Sequence, residues 1–256
     1  MLKLALTSLL FSIAATAAVK TEKITYKHGS EELEGFIAYD DAIAGKKPVV
    51  IIIHDWMGPS EYTEMRAQQL AEMGYFAFAA DIYGKSLRPK NAEEAAKAAG
   101  SFRNGDRKLL RARAKAAVDQ ASKHAQADGK KVSAAGYCFG GTAVLEMARA
   151  GMPLKGVISF HGNLGSVNPK DAQKIKSKVL VLHGAIDPYV SAEELNGFMK
   201  EMNDAKVDYQ FVSYSGAVHA FSQKGAGNDP KAGAAYNEVA DKRSFIAMRE
   251  FLKEVN

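Results

Sequence analysis

The chain has one cysteine, Cys138, in the stretch AAGYCFGGTAV at 134–144. Gly136 stands two residues before it and Gly140 two after. This is the spacing of G-x-S-x-G with sulfur in place of the hydroxyl, and the chemistry it serves is nucleophilic acyl transfer. In such an elbow the nucleophile sits on a tight strand-to-helix bend, in strained dihedrals. The flanking glycines leave space where a Cβ would meet backbone. The start of the next helix turns free N–H groups and its positive dipole end toward the sulfur, which favours thiolate. The amide of Phe139 is then placed to bind an oxyanion. The plainer reading of Cys138 is a small core residue in a glycine-rich turn. The apolar run before it and the helical pattern after it are the context that an elbow requires.

Two further residues complete the set. Asp187 lies in VLHGAIDPYV, 49 residues after Cys138, and His219 lies in SGAVHAF, a further 32 residues on. Taken singly, Asp187 is a turn starter before Pro188 and His219 a solvated loop residue. Taken together, each follows its own apolar run, and nucleophile, acid, histidine is the chain order of α/β-hydrolases. His219 would take the thiol proton and later deliver it to the leaving group. Asp187 would fix the imidazole tautomer and stabilise the imidazolium.

These side chains need elements that deliver them to one place. PVVIIIHD at 48–55 is too short for a helix and reads as a strand buried on both faces. Further strands are expected at 75–81, 131–137, 154–162, 178–184 and 208–214, after an antiparallel pair at 23–26 and 33–39. Helices are expected at 61–73, 139–150, 192–202 and 240–255, with a weak helical stretch at 171–176. Asp106 can cap another helix, in which Leu110, Ala114, Ala117, Val118 and Ala121 share a face. The stretch 223–235 reads as a surface loop. Strands alternating with helices predict an α/β fold: a mostly parallel, doubly wound sheet with helices on both faces and an antiparallel N-terminal strand pair. Ligands sit at the carboxyl ends of such strands, where Asp55, Asp81, Cys138, His161, Asp187 and His219 all fall.

Of 256 residues, 47% are hydrophobic and 25% charged, enough for one sizeable core. The formal charge of +5 does not by itself argue for nucleic acid. The opening MLKLALTSLLFSIAATAA has one lysine, an apolar run too short for an ordinary membrane span, and an A-x-A site. Residues 1–17 are therefore expected to be a secretory signal peptide and 18–256 a single domain, periplasmic or secreted. An exported chain with one cysteine cannot form an internal disulfide, so Cys138 is either packing or a working thiol.

The chain resembles the dienelactone hydrolase family, a cysteine branch of the α/β-hydrolases, from about Val49 to Leu252. The resemblance is carried by IIIHDWMG, AADIYG, GYCFGGT, VLHGAIDP and GAVHAF. It implies a Cys138–Asp187–His219 triad that opens lactones and cleaves small esters through a thioester, with the backbone amide of Trp56 as second oxyanion donor. Two positions depart from the family pattern. Asp55 stands where the family has a glutamate that takes part in activating the thiol, and its side chain is one methylene shorter. It serves either that role or the nearby loop backbone. Gln223 follows His219-Ala220-Phe221-Ser222 where the family has an arginine that grips a substrate carboxylate, and a neutral amide cannot replace a bidentate guanidinium. Trp56 itself is a pocket wall or ordinary packing, and His54 a hydrogen-bond partner lining the site.

The basic run RNGDRKLLRARAKAA at 103–117 is expected to be the solvated face of an amphipathic helix. It has no interleaved aromatics for base stacking. The histidines at 54, 161, 183 and 219 lack metal-ligand spacing. No cofactor, metal, nucleic acid or, after signal removal, membrane is expected. The expected partner is a small-molecule ester or lactone. The same elbow also fits a thioesterase, or a non-catalytic ligand-binding protein on a hydrolase scaffold. Nothing in the sequence chooses between monomer and dimer.

Overall fold

A computed structural model describes residues 19–256. The segment read as a signal peptide lies outside them. Strands β1 (Val19–His28) and β2 (Glu31–Asp40) form an antiparallel hairpin closed by Gly29 at φ 62°. β3 (Lys47–Ile53), β4 (Phe76–Ala80), β5 (Ala127–Tyr137), β6 (Gly156–Phe160), β7 (Lys178–Gly184) and β8 (Tyr209–Tyr214) follow. They join in the order β1-β2-β4-β3-β5-β6-β7-β8. β2 meets β4 antiparallel, and from β4 to β8 every neighbour is parallel.

The unbroken apolar run in β3 has a direct cause. Successive side chains of a strand face opposite sides of the sheet. Val49, Ile51 and Ile53 enter one core layer, under helices α2 (Ala92–Arg103), α3 (Lys108–Ala121), α4 (Phe139–Arg149) and α5 (Ala192–Asp204). Val50 and Ile52 enter the other, under α1 (Glu61–Glu72) and α6 (Glu238–Val255). A strand covered on both faces needs apolar residues at every position, so alternation disappears.

Three local expectations change, and one further helix is present. Helix α2 carries no strong sequence signal, because its inner face is Ala95, Ala98, Ala99 and Phe102; it starts where Asn91 Oδ1 accepts the Glu94 N–H at 2.9 Å. At α3 the cap position belongs to Arg107, at φ 55°, while Asp106 accepts the Lys108 N–H and pairs with its ammonium. The stretch near 171–176 is a 3₁₀ turn, Pro169–Lys174, since Pro169 and the Asn168 side-chain cap favour a short tight turn. The loop at 223–235 holds two 3₁₀ turns and folds back on His219: the His219 N–H donates to Gly233 O, and the Ala235 N–H to His219 O.

The basic run is also not a solvated face throughout. Lys108 and Lys115 pair in the open with Asp106 and Asp119. Arg107 and Arg111 instead reach the fully buried Glu146, and Arg111 also reaches Asp171. Arg113 is buried and donates to the carbonyls of Ile82 and Tyr83. Buried carboxylates and carbonyls require such donors, so three of these arginines serve the interior of the fold.

Candidate active site

β5 ends at Tyr137 and α4 begins at Phe139, so Cys138 forms the entire bend. Its φ and ψ are 56° and −113°, a strained conformation for a residue with a Cβ, at a cost of about 1–3 kcal/mol. Neighbours hold it there. The Cys138 N–H is shared between Phe160 O at 3.0 Å and His161 Nδ1 at 3.1 Å. The Cys138 carbonyl accepts from the Gly141 N–H at 2.9 Å. A Cβ on Gly136 would lie 2.0 Å from Gly140 O, and one on Gly140 would lie 2.2 Å from Ile53 O. The bend therefore closes only with glycine at both places.

The loops after β7 and β8 bring Asp187 and His219 to this bend. Cys138 Sγ lies 3.0 Å from His219 Nε2, and His219 Nδ1 lies 2.9 Å from Asp187 Oδ2. Asp187 Oδ1 accepts the Tyr189 N–H at 2.9 Å, which fixes the carboxylate plane. A carboxylate only accepts, so the ring carries its proton on Nδ1 and turns Nε2 to the sulfur. Burial disfavours a charged ring here. The hydrogen bonds and charges of Asp187 and Cys138 outweigh it, and the His219 pKa is pushed up to about 10. Cys138 is part exposed.

Two peptide groups next to this line have their direction set by hydrogen bonds. The Asp55 carbonyl is held by His54 Nδ1–H at 2.6 Å and by the Gly58 N–H at 3.2 Å. In a planar trans peptide the N–H points opposite to the C=O, so those bonds also fix the direction of the Trp56 N–H. The Cys138 carbonyl does the same for the Phe139 N–H. Tyr83 Oη–H donates to the Trp56 carbonyl at 2.9 Å and steadies the turn further. His54 is fully buried behind this turn, and its Nε2 accepts the Ile82 N–H at 3.1 Å. Both its nitrogens are used by backbone, and burial holds its pKa below the ordinary imidazole value. Trp56 is 38% exposed.

Asp55 turns its carboxylate to two neutral donors. Oδ1 accepts the Met57 N–H at 2.8 Å, and Oδ2 accepts Gln223 Nε2–H at 2.9 Å. The two departures from the family pattern are thus bonded to each other.

Sequence reading missed what stands behind Cys138. His161, at φ 40° just past β6, accepts from the Cys138 amide and donates from Nε2 to Ser222 Oγ at 2.9 Å. Tyr62 Oη lies 2.9 Å from the same Oγ, Arg66 Nε donates to Tyr62 Oη, and Arg66 Nη2 donates to the Ser222 carbonyl. Burial, then the neighbouring His219, keeps His161 neutral, with a pKa well below the ordinary value. Its place after an apolar strand was the available signal; its partners come from sequence positions far away. No group of three or more His, Cys, Asp or Glu side chains able to hold a metal occurs among the described residues.

A ring held between sulfur and carboxylate can take and keep a thiol proton, and the Phe139 and Trp56 amides are candidate oxyanion donors. The family model described as "Dienelactone hydrolase family" matches residues 33–256. A solved structure titled "Dienelactone Hydrolase-like Promiscuous Phospotriesterase P91 from Metagenomic Libraries" is similar at 36% identity and TM-score 0.88, covering 93% of this chain and 99% of that one. "Protein usf" of Aquifex pyrophilus is 31% identical over 180 residues, 68% of this chain and 76% of its own. An acylaminoacyl peptidase of Pyrococcus horikoshii shares the fold alone, at 14% identity and TM-score 0.71, over 95% of this chain and 43% of that one.

Proposed function

Because the chain belongs to the dienelactone hydrolase family, and is thus a hydrolase of ester or lactone bonds, we propose that it works by thiolate attack from Cys138 through a thioester. The observation that carries this reading is the unbroken line from Cys138 Sγ through His219 to Asp187, at 3.0 and 2.9 Å. The thiol proton rests on His219 Nε2, leaving an imidazolium stabilised by Asp187. The thiolate attacks the carbonyl carbon of a small ester or lactone. The developing oxyanion is received by the Phe139 and Trp56 amides, already oriented before substrate arrives. Collapse expels the alcohol, which takes its proton from His219. Water, deprotonated by the same ring, then releases the acid from the thioester. No cofactor enters these steps.

His54 acts in this account on the Trp56 peptide and His161 on the Cys138 peptide. Asp55 belongs to the turn that carries Trp56. An N-terminal signal peptide at 1–17 would place the reaction in the periplasm or outside the cell.

Hydrolysis of phenyl acetate tests the reading. Cys138→Ala should abolish turnover in a folded protein. Cys138→Ser should fall sharply, because a hydroxyl ionises far less readily than a thiol. Asp187→Asn should lower kcat by about 10⁴-fold through the wrong ring tautomer. Retention of turnover by Cys138→Ala would refute it.

A further inference from the structure

Granted acyl transfer at Cys138, the charges around the site decide which acyl groups can approach. Asp55 directly precedes Trp56, the second oxyanion donor in that reading. Its carboxylate is part exposed, and neutral groups hold both its oxygens: the Met57 N–H and the Gln223 carboxamide. Gln223 lies on the loop that carries His219, so the bond joins the oxyanion side of the site to the histidine side. Burial, then the charges on Cys138 and Asp55, push the Tyr83 pKa well above the ordinary phenol value.

Of the neighbouring guanidiniums, three are held by acids or carbonyls, and Arg103, whose charge reaches the Tyr83 hydroxyl, by the neutral Asn163. Arg66 binds Asp241, Tyr62 and the Ser222 carbonyl. Arg88 binds Asp81 and Glu34. Arg113 binds the Ile82 and Tyr83 carbonyls. Arg103 donates to Asn163 Oδ1 at 2.9 Å, and Asn163 in turn donates to the Tyr189 carbonyl. Asp187 has its counter-charge in His219. Asp55 is answered by amides.

A carboxamide satisfies a carboxylate's lone pairs but leaves its field in place. A second carboxylate brought beside it meets like charge, an arrangement that disfavours binding. An uncharged acyl chain meets no such penalty. The rim offers it apolar surface in Trp56 and in Tyr189, whose ring stands edge-on to His219 at 5.2 Å.

We propose that the Asp55–Gln223 pair is a charge filter: the site takes esters and lactones that are uncharged near the reacting carbonyl and discriminates against those bearing a second carboxylate.

Phenyl hexanoate and monophenyl adipate test this, since they share a leaving group and chain length and differ by a terminal carboxylate. At low salt, kcat/KM for the adipate should be lower by about tenfold or more, and the gap should narrow as ionic strength rises. Gln223→Arg gives Asp55 a counter-charge, and Asp55→Asn removes the charge; each should narrow the gap by raising the relative rate on the adipate. Gln223→Glu should widen it. Equal or better use of the adipate by the wild-type protein, or a gap that all three variants leave unchanged, overturns the filter and leaves acyl transfer standing. If neither ester leaves an acyl group on Cys138, acyl transfer itself has failed and the filter falls with it.

Discussion

His54 Nδ1 donates to the carbonyl of Asp55 at 2.6 Å, while its Nε2 accepts the Ile82 N–H at 3.1 Å. One buried ring thus ties the turn after β3 to the turn after β4, and through the peptide plane it aims the Trp56 N–H. Loss of one oxyanion donor outright costs about 10²–10³ in kcat, and loss of its alignment should cost less. His54→Phe keeps the ring volume but removes both bonds. It should lower kcat by about tenfold to a hundredfold, with a smaller change in KM. Steady-state kinetics on a variant with native circular dichroism checks this.

The elbow glycines make a second prediction. Gly140→Ala drives a Cβ to 2.2 Å from Ile53 O, in the middle of the sheet. Backbone cannot yield there, so the variant should lose about 3 kcal/mol or more, or fail to fold. Gly197, inside α5, has nothing within 4 Å of an added Cβ. Gly197→Ala should stabilise by about 0.4–1 kcal/mol. Urea denaturation distinguishes the two sites.

The buried histidines set opposite limbs of the pH–stability curve. His54 and His161 are held neutral, below the ordinary imidazole value of 6.5. Below that pH the unfolded chain binds protons that the folded chain refuses, so stability should fall as the solution is acidified. His219 has its folded pKa pushed up to about 10. The stability it contributes is fully present below pH 6.5 and is lost as pH rises through about 10. In thermal melts across this range, His161→Gln should flatten the acid limb and His219→Gln the alkaline limb.

How much of this was legible in the sequence follows from how local each signal is. The elbow, Asp187 and His219 were readable because each lies just beyond an apolar strand, and the α/β order sends strand ends to one edge. The bending residues could be read for the same reason: Gly136 and Gly140 are two residues from Cys138. The Asp55–Gln223 bond spans 168 residues and the His161–Ser222 bond 61, and no local pattern encodes either. Arg107 and Arg111 misled because their spacing suits a solvated face. Their partner, Glu146, sits on α4 among apolar residues and is recognisable as buried only once the two helices are packed together. Helix α2 was hidden by its alanine face.

The central claim is that Cys138 becomes acylated. The direct measurement is intact-protein and peptide mass spectrometry on enzyme quenched milliseconds to seconds after mixing with excess phenyl hexanoate. A hexanoyl adduct that maps to Cys138, accumulates within one turnover and decays with product release is predicted; His219→Gln should form it far more slowly. Turnover that continues with no acyl group on Cys138 at any time, or an adduct on another residue, would contradict the account.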